Sequence, residues 1–206
     1  MSDTLSPYLR LIGKIANTRH PGGLAASEFL LNKTSIDKSW RVLDLGCGAG
    51  HTSAHIAKKY GCTVNGIDIS SAALENAKAL YKNEPYFKRM HFEKADMGEL
   101  PFSDGYFDAV LCESVLIFNE NKAIAMGEIA RITKEGGFLI LNELCVAEDS
   151  EKIRTHFARP EFGGFLCEAG ELNYLVANAG FSIKVHDESS LKMLEQFKAD
   201  FAQFGN

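Results

Sequence analysis

Three glycines at alternate positions, Gly46, Gly48 and Gly50, follow directly on the apolar run Val42-Leu43-Asp44-Leu45. Glycine at a strand-to-helix turn lets backbone come close to a ligand and exposes amide groups at a helix N-terminus, where negative and polar groups bind. The same spacing also serves a tight turn that needs glycine for geometry alone. A dinucleotide fingerprint would read G-x-G-x-x-G, and its third glycine would fall at His51, so that pattern fails here. Asp68 lies 22 residues after Gly46, where a second strand would end. A carboxylate there can accept both ribose hydroxyls of an adenosine, and as an alternative it is a surface turn residue in Asp68-Ile69-Ser70.

Further reactive side chains fall at strand ends and in the segments between them. Glu113 and Glu143 end neighbouring strands, where paired carboxylates would bind an amine or orient a hydroxyl; the alternative is that they meet solvent or an arginine. His20 sits in the run Arg19-His20-Pro21-Gly22-Gly23, which reads either as a turn or as a gate over a pocket. Arg154, His156 and Arg159 are interleaved with Phe157, Phe162 and Phe165, a mixture that suits a lid and equally an ordinary packed loop. His51 and His55 are four apart on a helix, the spacing of paired metal ligands. No HExxH glutamate or third ligand accompanies them, so no metal is expected. Cys145 reads as a small buried residue or as a reactive thiol near the pocket.

These residues need a scaffold, and the chain supplies alternating elements. Strands are predicted over 41–46, 63–68, 89–95, 107–113, 138–144 and 181–186. Helices are predicted over 50–60, from Ser70 or Ser71 to 81, over 121–132 with Gly136 and Gly137 as its stop, and over 168–179 ended by Gly180. Strict alternation implies a mainly parallel, doubly wound α/β sheet, in the order three-two-one-four-five with strand six near strand five. Ligands then lie at the carboxyl ends of the strands. Residues 1–38 are expected to form a helical cap, 39–144 the core, 145–168 a lid insertion and 169–206 the remainder of a single domain. Ser190 to Phe204 reads as an amphipathic helix, with Leu194, Phe197, Phe201 and Phe204 on one stripe.

Composition narrows the partners. The chain has 206 residues, 46% hydrophobic and 24% charged, with a formal net charge of −5. That is a folded chain rather than a disordered one. Its acidity and lack of a basic block argue against nucleic acid. No apolar run is long enough for a membrane span, and Met1 to Arg10 do not resemble a secretory signal. The five cysteines show no CxxC pairing, so reduced thiols in a cytoplasmic monomer or homodimer are expected.

Taken together, Asp44 to Gly50 resembles the first signature motif of the class I S-adenosylmethionine-dependent methyltransferases, small-molecule branch. Gly66-Ile67-Asp68-Ile69-Ser70 resembles their ribose-binding strand end, and Ala95-Asp96-Met97 their adenine-binding segment. Leu100-Pro101-Phe102, Phe107-Asp108-Ala109-Val110, Arg131 to Gly137 and Asn178-Ala179-Gly180-Phe181 continue the likeness in order from 41 to about 187. The resemblance implies a Rossmann-like methyltransferase fold and methyl transfer from S-adenosylmethionine, leaving S-adenosylhomocysteine, to a small-molecule acceptor. It implies cofactor contacts from Asp44, Gly46, Cys47, Gly48, Asp68, Ile69, Asp96, Met97 and Glu113, with Glu113, Glu143 and His20 as candidates for acceptor chemistry. The family's antiparallel seventh strand is not visible after the sixth, and no motif names the acceptor. A non-catalytic module that binds the same cofactor is the alternative; a dehydrogenase is disfavoured by His51.

Overall fold

The computed structural model describes residues 20, 22–146, 151–160 and 162–185. Five parallel strands form the main sheet: β1 (Arg41–Leu45), β2 (Thr63–Asp68), β3 (Met90–Lys94), β4 (Phe107–Glu113) and β5 (Thr133–Asn142). Their order is β3-β2-β1-β4-β5. Neighbours of β1 on its two sides are reached by crossovers running in opposite directions, which opens a crevice at the carboxyl ends of β1 and β4. The register puts those ends level, with Leu45 opposite Ile67 and Cys112, and Glu113 opposite Asn142.

Both faces of the sheet are covered, because the strands are apolar on both faces. Val42 packs into one core cluster with Ile56, Val64 and Leu74, while its neighbour Leu43 points the other way, among Ile67, Val110, Met126 and Ile129. This is the period of two expected of a strand buried on both sides. The first cluster is covered by α1 (Gly23–Leu31), α2 (His51–Lys59) and α3 (Ser71–Tyr81); the second is covered by α4 (Lys122–Ile132) and α6 (Ala169–Asn178). Each fully buried Leu or Ile contributes about 1.5–3 kcal/mol.

Helix starts follow local chemistry. Ser70 Oγ accepts from the Ala73 amide at 3.3 Å, and Asn121 Oδ1 accepts from the Ile124 amide at 3.3 Å. Glu168 and Glu171 form a reciprocal capping box on α6.

Two expectations fail. Gly136 and Gly137 do not stop a helix; they lie inside β5, which begins at Thr133 directly after α4. Thr133 is buried and pairs with Phe107, and the β4–β5 register shifts between Phe107 and Ala109 to accommodate the glycines. The sixth strand also fails over its described part: residues 181–185 join no sheet, and Ile183 and Val185 are about half exposed. Alternating apolar residues encode a face, but not a neighbouring edge to pair with. Residues 186–206, including the amphipathic stretch from Ser190 to Phe204, and residues 1–19 of the expected cap lie outside the described residues.

The insertion after β5 contains a short parallel pair, β6 (Cys145–Val146) with β7 (Cys167–Glu168), and between them α5 (Glu151–Phe157). Val146 and Leu166 pack on Ile117 in the one-turn helix after β4, with Phe157 beside them. The Phe165 amide donates to the Ile117 carbonyl. His156, Phe157 and Phe162 form one aromatic group, and Arg154 pairs with Glu168 and Glu171.

Candidate active site

The glycine loop joins β1 to α2 at the switch point. Gly46 has a φ of +69°, and a Cβ built on it would lie 2.4 Å from Cγ2 of Val115. Gly48, at φ +52°, has nothing within 4 Å of where its Cβ would be, so the loop is close-packed at one glycine and open at the next. Left-handed backbone of this kind favours glycine. The Cys47 amide donates to the Ile67 carbonyl, tying the loop to β2.

Asp68 faces this loop from the end of β2. Its Oδ2 accepts from the Gly48 amide at 2.9 Å and its Oδ1 from the Ser70 amide at 2.8 Å. An ionised carboxylate has about four acceptor positions, so two amides leave capacity for a further donor pair. Burial pushes its carboxyl up, and the amide bonds oppose that shift. Ile69 beside it is 43% exposed, an apolar side chain presented at a strand end. Asp96 Oδ1 accepts from the Gly98 amide at 2.8 Å, and Met97 is partly buried against the α4-side core.

A buried polar network lies behind the loop. Glu113 accepts from Ser27 Oγ at 2.9 and 3.0 Å and from Thr52 Oγ1 at 3.4 Å. His20 Nε2 lies 3.4 Å from Glu113 Oε2 and 3.3 Å from Ser27 Oγ, and its Nδ1 is 3.3 Å from Asn142 Nδ2. Asp44 is buried and accepts from Ser53 Oγ at 2.5 Å. Burial pushes the carboxyls of Asp44 and Glu113 up to about 7 each, against the hydrogen bonds that lower them. His20 lies in a turn, where its carbonyl accepts from the Gly23 amide, and its ring lies against Glu113.

Spacing suggested that Glu113 and Glu143 flank one pocket. The two carboxylates are instead turned onto different groups. Glu143 Oε1 accepts from the amides of Val115 and Leu116 at 2.9 and 3.0 Å, capping the one-turn helix over Leu116–Phe118. Its Oε2 is sealed from solvent with no hydrogen-bond partner among the described residues, and burial pushes the carboxyl up to about 7. Glu143 thus fixes Val115, the side chain that fills the space above Gly46. Ser114, which leads into this turn, has a φ of +56°. Ser27, Thr52, Ser53 and Asn142 were not anticipated as site residues. Their signal is weak: each is a small polar residue that becomes informative only through its burial.

His51 and His55 do not converge on a shared ligand. His51 Nδ1 lies 2.6 Å from the Tyr81 hydroxyl, and His55 faces Glu28 at 3.6 Å. Among the described residues no group of three His, Cys, Asp or Glu side chains is placed to hold a metal ion, and no helix is long and apolar enough to cross a membrane.

Known proteins resemble this chain in sequence and fold. A family described as a methyltransferase domain matches residues 36–180. The methyltransferase YodH of Bacillus subtilis is 33% identical over 181 residues, covering 86% of this chain and 75% of that protein. Methyltransferase GfsG of Streptomyces halstedii is 31% identical over 133 residues, covering 65% of this chain and 48% of that protein. The chain spans about half of the length of most curated relatives it matches. Among solved structures, the [4+2]-cyclase SpnF superposes with a TM-score of 0.77 at 24% identity, covering 97% of this chain and 79% of that one, a likeness of fold. The chain belongs to the methyltransferase domain family, in its class I, S-adenosylmethionine-dependent form.

Proposed function

We propose that the chain transfers the methyl group of S-adenosylmethionine to a small-molecule acceptor seated at the carboxyl ends of β1, β4 and β5. One observation carries this reading. The glycine loop, the Asp68 carboxylate and the buried Glu113 network meet at the switch point of the sheet, where ligands of this fold bind. The chain acts as one domain, with 39–144 as the cofactor-binding core and the segments 1–38 and 145–168 as cover. Named relatives lend support: an O-methyltransferase of Aspergillus sclerotiorum and the norajmaline N-methyltransferase of Rauvolfia serpentina act on different atoms. The acceptor's reacting atom is therefore set by the cover rather than by the shared core.

The residues present fit the cofactor. The loop Gly46-Cys47-Gly48 is open at Gly48, which leaves room for its amino-acid part, Asp68 keeps acceptor capacity for a diol, and Ile69, Asp96 and Met97 suit an adenine. When bound, the cofactor supplies an activated methyl on a sulfonium, so the chain's task is alignment and exclusion of water. Asp44 and Glu113 hold the floor of the site through Ser53, Ser27 and Thr52. His20, with Nε2 against Glu113, would take up the proton of a hydroxyl or ammonium acceptor at Nδ1, in place of its contact with Asn142.

The test is the release of S-adenosylhomocysteine against a panel of phenols, amines and thiols, with chelator present in one arm. Product with at least one acceptor, unchanged by chelator, is expected. His20→Ala should slow a hydroxyl acceptor about 100-fold, as general base catalysis contributes roughly 10²–10⁴. Cofactor binding without product from any acceptor class would favour a binding module instead.

A further inference from the structure

Outside the proposed methyl-transfer site, β6 and β7 bring two cysteines together. Cys145 and Cys167 are direct partners in the parallel ladder. Paired residues of neighbouring strands point to the same face, and the strands lie about 4.8 Å apart. That falls inside the roughly 4.4–6.8 Å Cα separation a disulfide spans. Cys145 is exposed. Cys167 is half-buried and lines an open cleft of about 670 Å³ between the first turns of α4 and α6, which gives a small oxidant a path to it.

We propose that Cys145 and Cys167 form a dithiol site that a peroxide closes to a reversible disulfide at the root of the insertion. The two thiols are unequal, which assigns their roles. The neighbouring Cys145 thiol, the Lys122 ammonium and the Arg154 guanidinium favour the Cys167 thiolate, while burial and the Glu171 carboxylate oppose it. The balance holds the Cys167 thiol down at about 7. The thiolate is the nucleophile, so Cys167 attacks first. Its sulfur bonds to one peroxide oxygen, the O–O bond breaks, and the departing hydroxide leaves as water, giving a sulfenic acid. The Cys145 sulfur then attacks the Cys167 sulfur. The sulfenic hydroxyl leaves with the Cys145 proton as a second water. Two thiols are oxidised and one peroxide is reduced to two waters.

The other three cysteines provide an internal contrast. Burial pushes the thiols of Cys47, Cys62 and Cys112 up, away from reactivity. The disulfide would tie both ends of residues 146–166, which pack on Ile117 through Val146 and Leu166. Oxidation therefore joins the two ends of the insertion beside the residues that pack on Ile117.

The experiment treats the reduced full chain with stoichiometric hydrogen peroxide, then unfolds it in denaturant with N-ethylmaleimide to block the remaining thiols, and maps peptides without reduction. It requires no methyl-transfer activity, so its failure is separable from that of the proposed function. A peptide linking Cys145 to Cys167 is expected, reversed by dithiothreitol, with the other three thiols alkylated. Cys145→Ser should leave a dimedone-reactive sulfenic acid at Cys167, and Cys167→Ser should slow oxidation of Cys145 at least about tenfold. The oxidised chain should resist proteolysis within 147–166. Separate adducts on the two cysteines without a link in the wild-type chain, or equal oxidation of all five thiols, would overturn the proposal.

Discussion

Asp68→Ala is expected to weaken binding of S-adenosylhomocysteine by about 100-fold in calorimetry. The carboxylate is partly buried and already accepts from two amides, Gly48 and Ser70. A ribose diol would add two more bonds to an ionised group, worth roughly 1.5–3 kcal/mol each. Alanine removes those bonds and also frees the Gly48 amide, so part of the loss comes from a loosened glycine loop. Asp68→Asn separates the two effects. It preserves one acceptor oxygen for the loop and forfeits the charge, and should fall between wild type and alanine. Wild-type affinity in Asp68→Ala would mean that the ribose is bound elsewhere.

Gly46→Ala should be as damaging, for a steric reason. The added Cβ would sit 2.4 and 2.7 Å from the two Val115 methyls, at a φ of +69°. Left-handed backbone costs a non-glycine residue about 1–2 kcal/mol, and overpacking adds about 1–3 kcal/mol. Val115 cannot simply retreat, because Glu143 holds its amide and that of Leu116. The variant should lose roughly 3 kcal/mol of stability in denaturant unfolding and more than tenfold in cofactor affinity. Adding Val115→Ala should restore part of both, with a coupling of about 1 kcal/mol or more between the two positions. The backbone strain would remain, so full recovery is not expected. A Gly46→Ala chain with wild-type stability and affinity would show that the contact between loop and β4 is soft.

Most of the scaffold was legible in the sequence. The five strands of the sheet and the order β3-β2-β1-β4-β5 follow from alternation and from right-handed crossovers, and Ser70 was recognisable as a cap. The residues proposed for the cofactor stand out in the sequence for a related reason: they fall in short contiguous motifs at successive strand ends. The polar network was not. Ser27 and Glu113 are 86 positions apart and His20 and Asn142 are 122 apart, and nothing local marks them as neighbours. Glu143 shows the limit of reading strand ends. It lies one residue past β5, whose last residue Asn142 is the partner of Glu113, and the direction of its carboxylate depends on the one-turn helix after β4, which has no sequence period of its own. The sixth strand failed because alternation in Phe181 to Val185 specifies a half-buried face without specifying a pairing edge.

The most direct measurement is a titration of the full chain with S-adenosylhomocysteine followed residue by residue by amide NMR. Saturable one-to-one shifts are expected at Gly46 to Gly50, at Asp68 and Ile69, and at Asp96 and Met97, the three segments that line the carboxyl ends of β1, β2 and β3. Absence of saturable shifts, or shifts confined to the cleft between α4 and α6, would contradict the account.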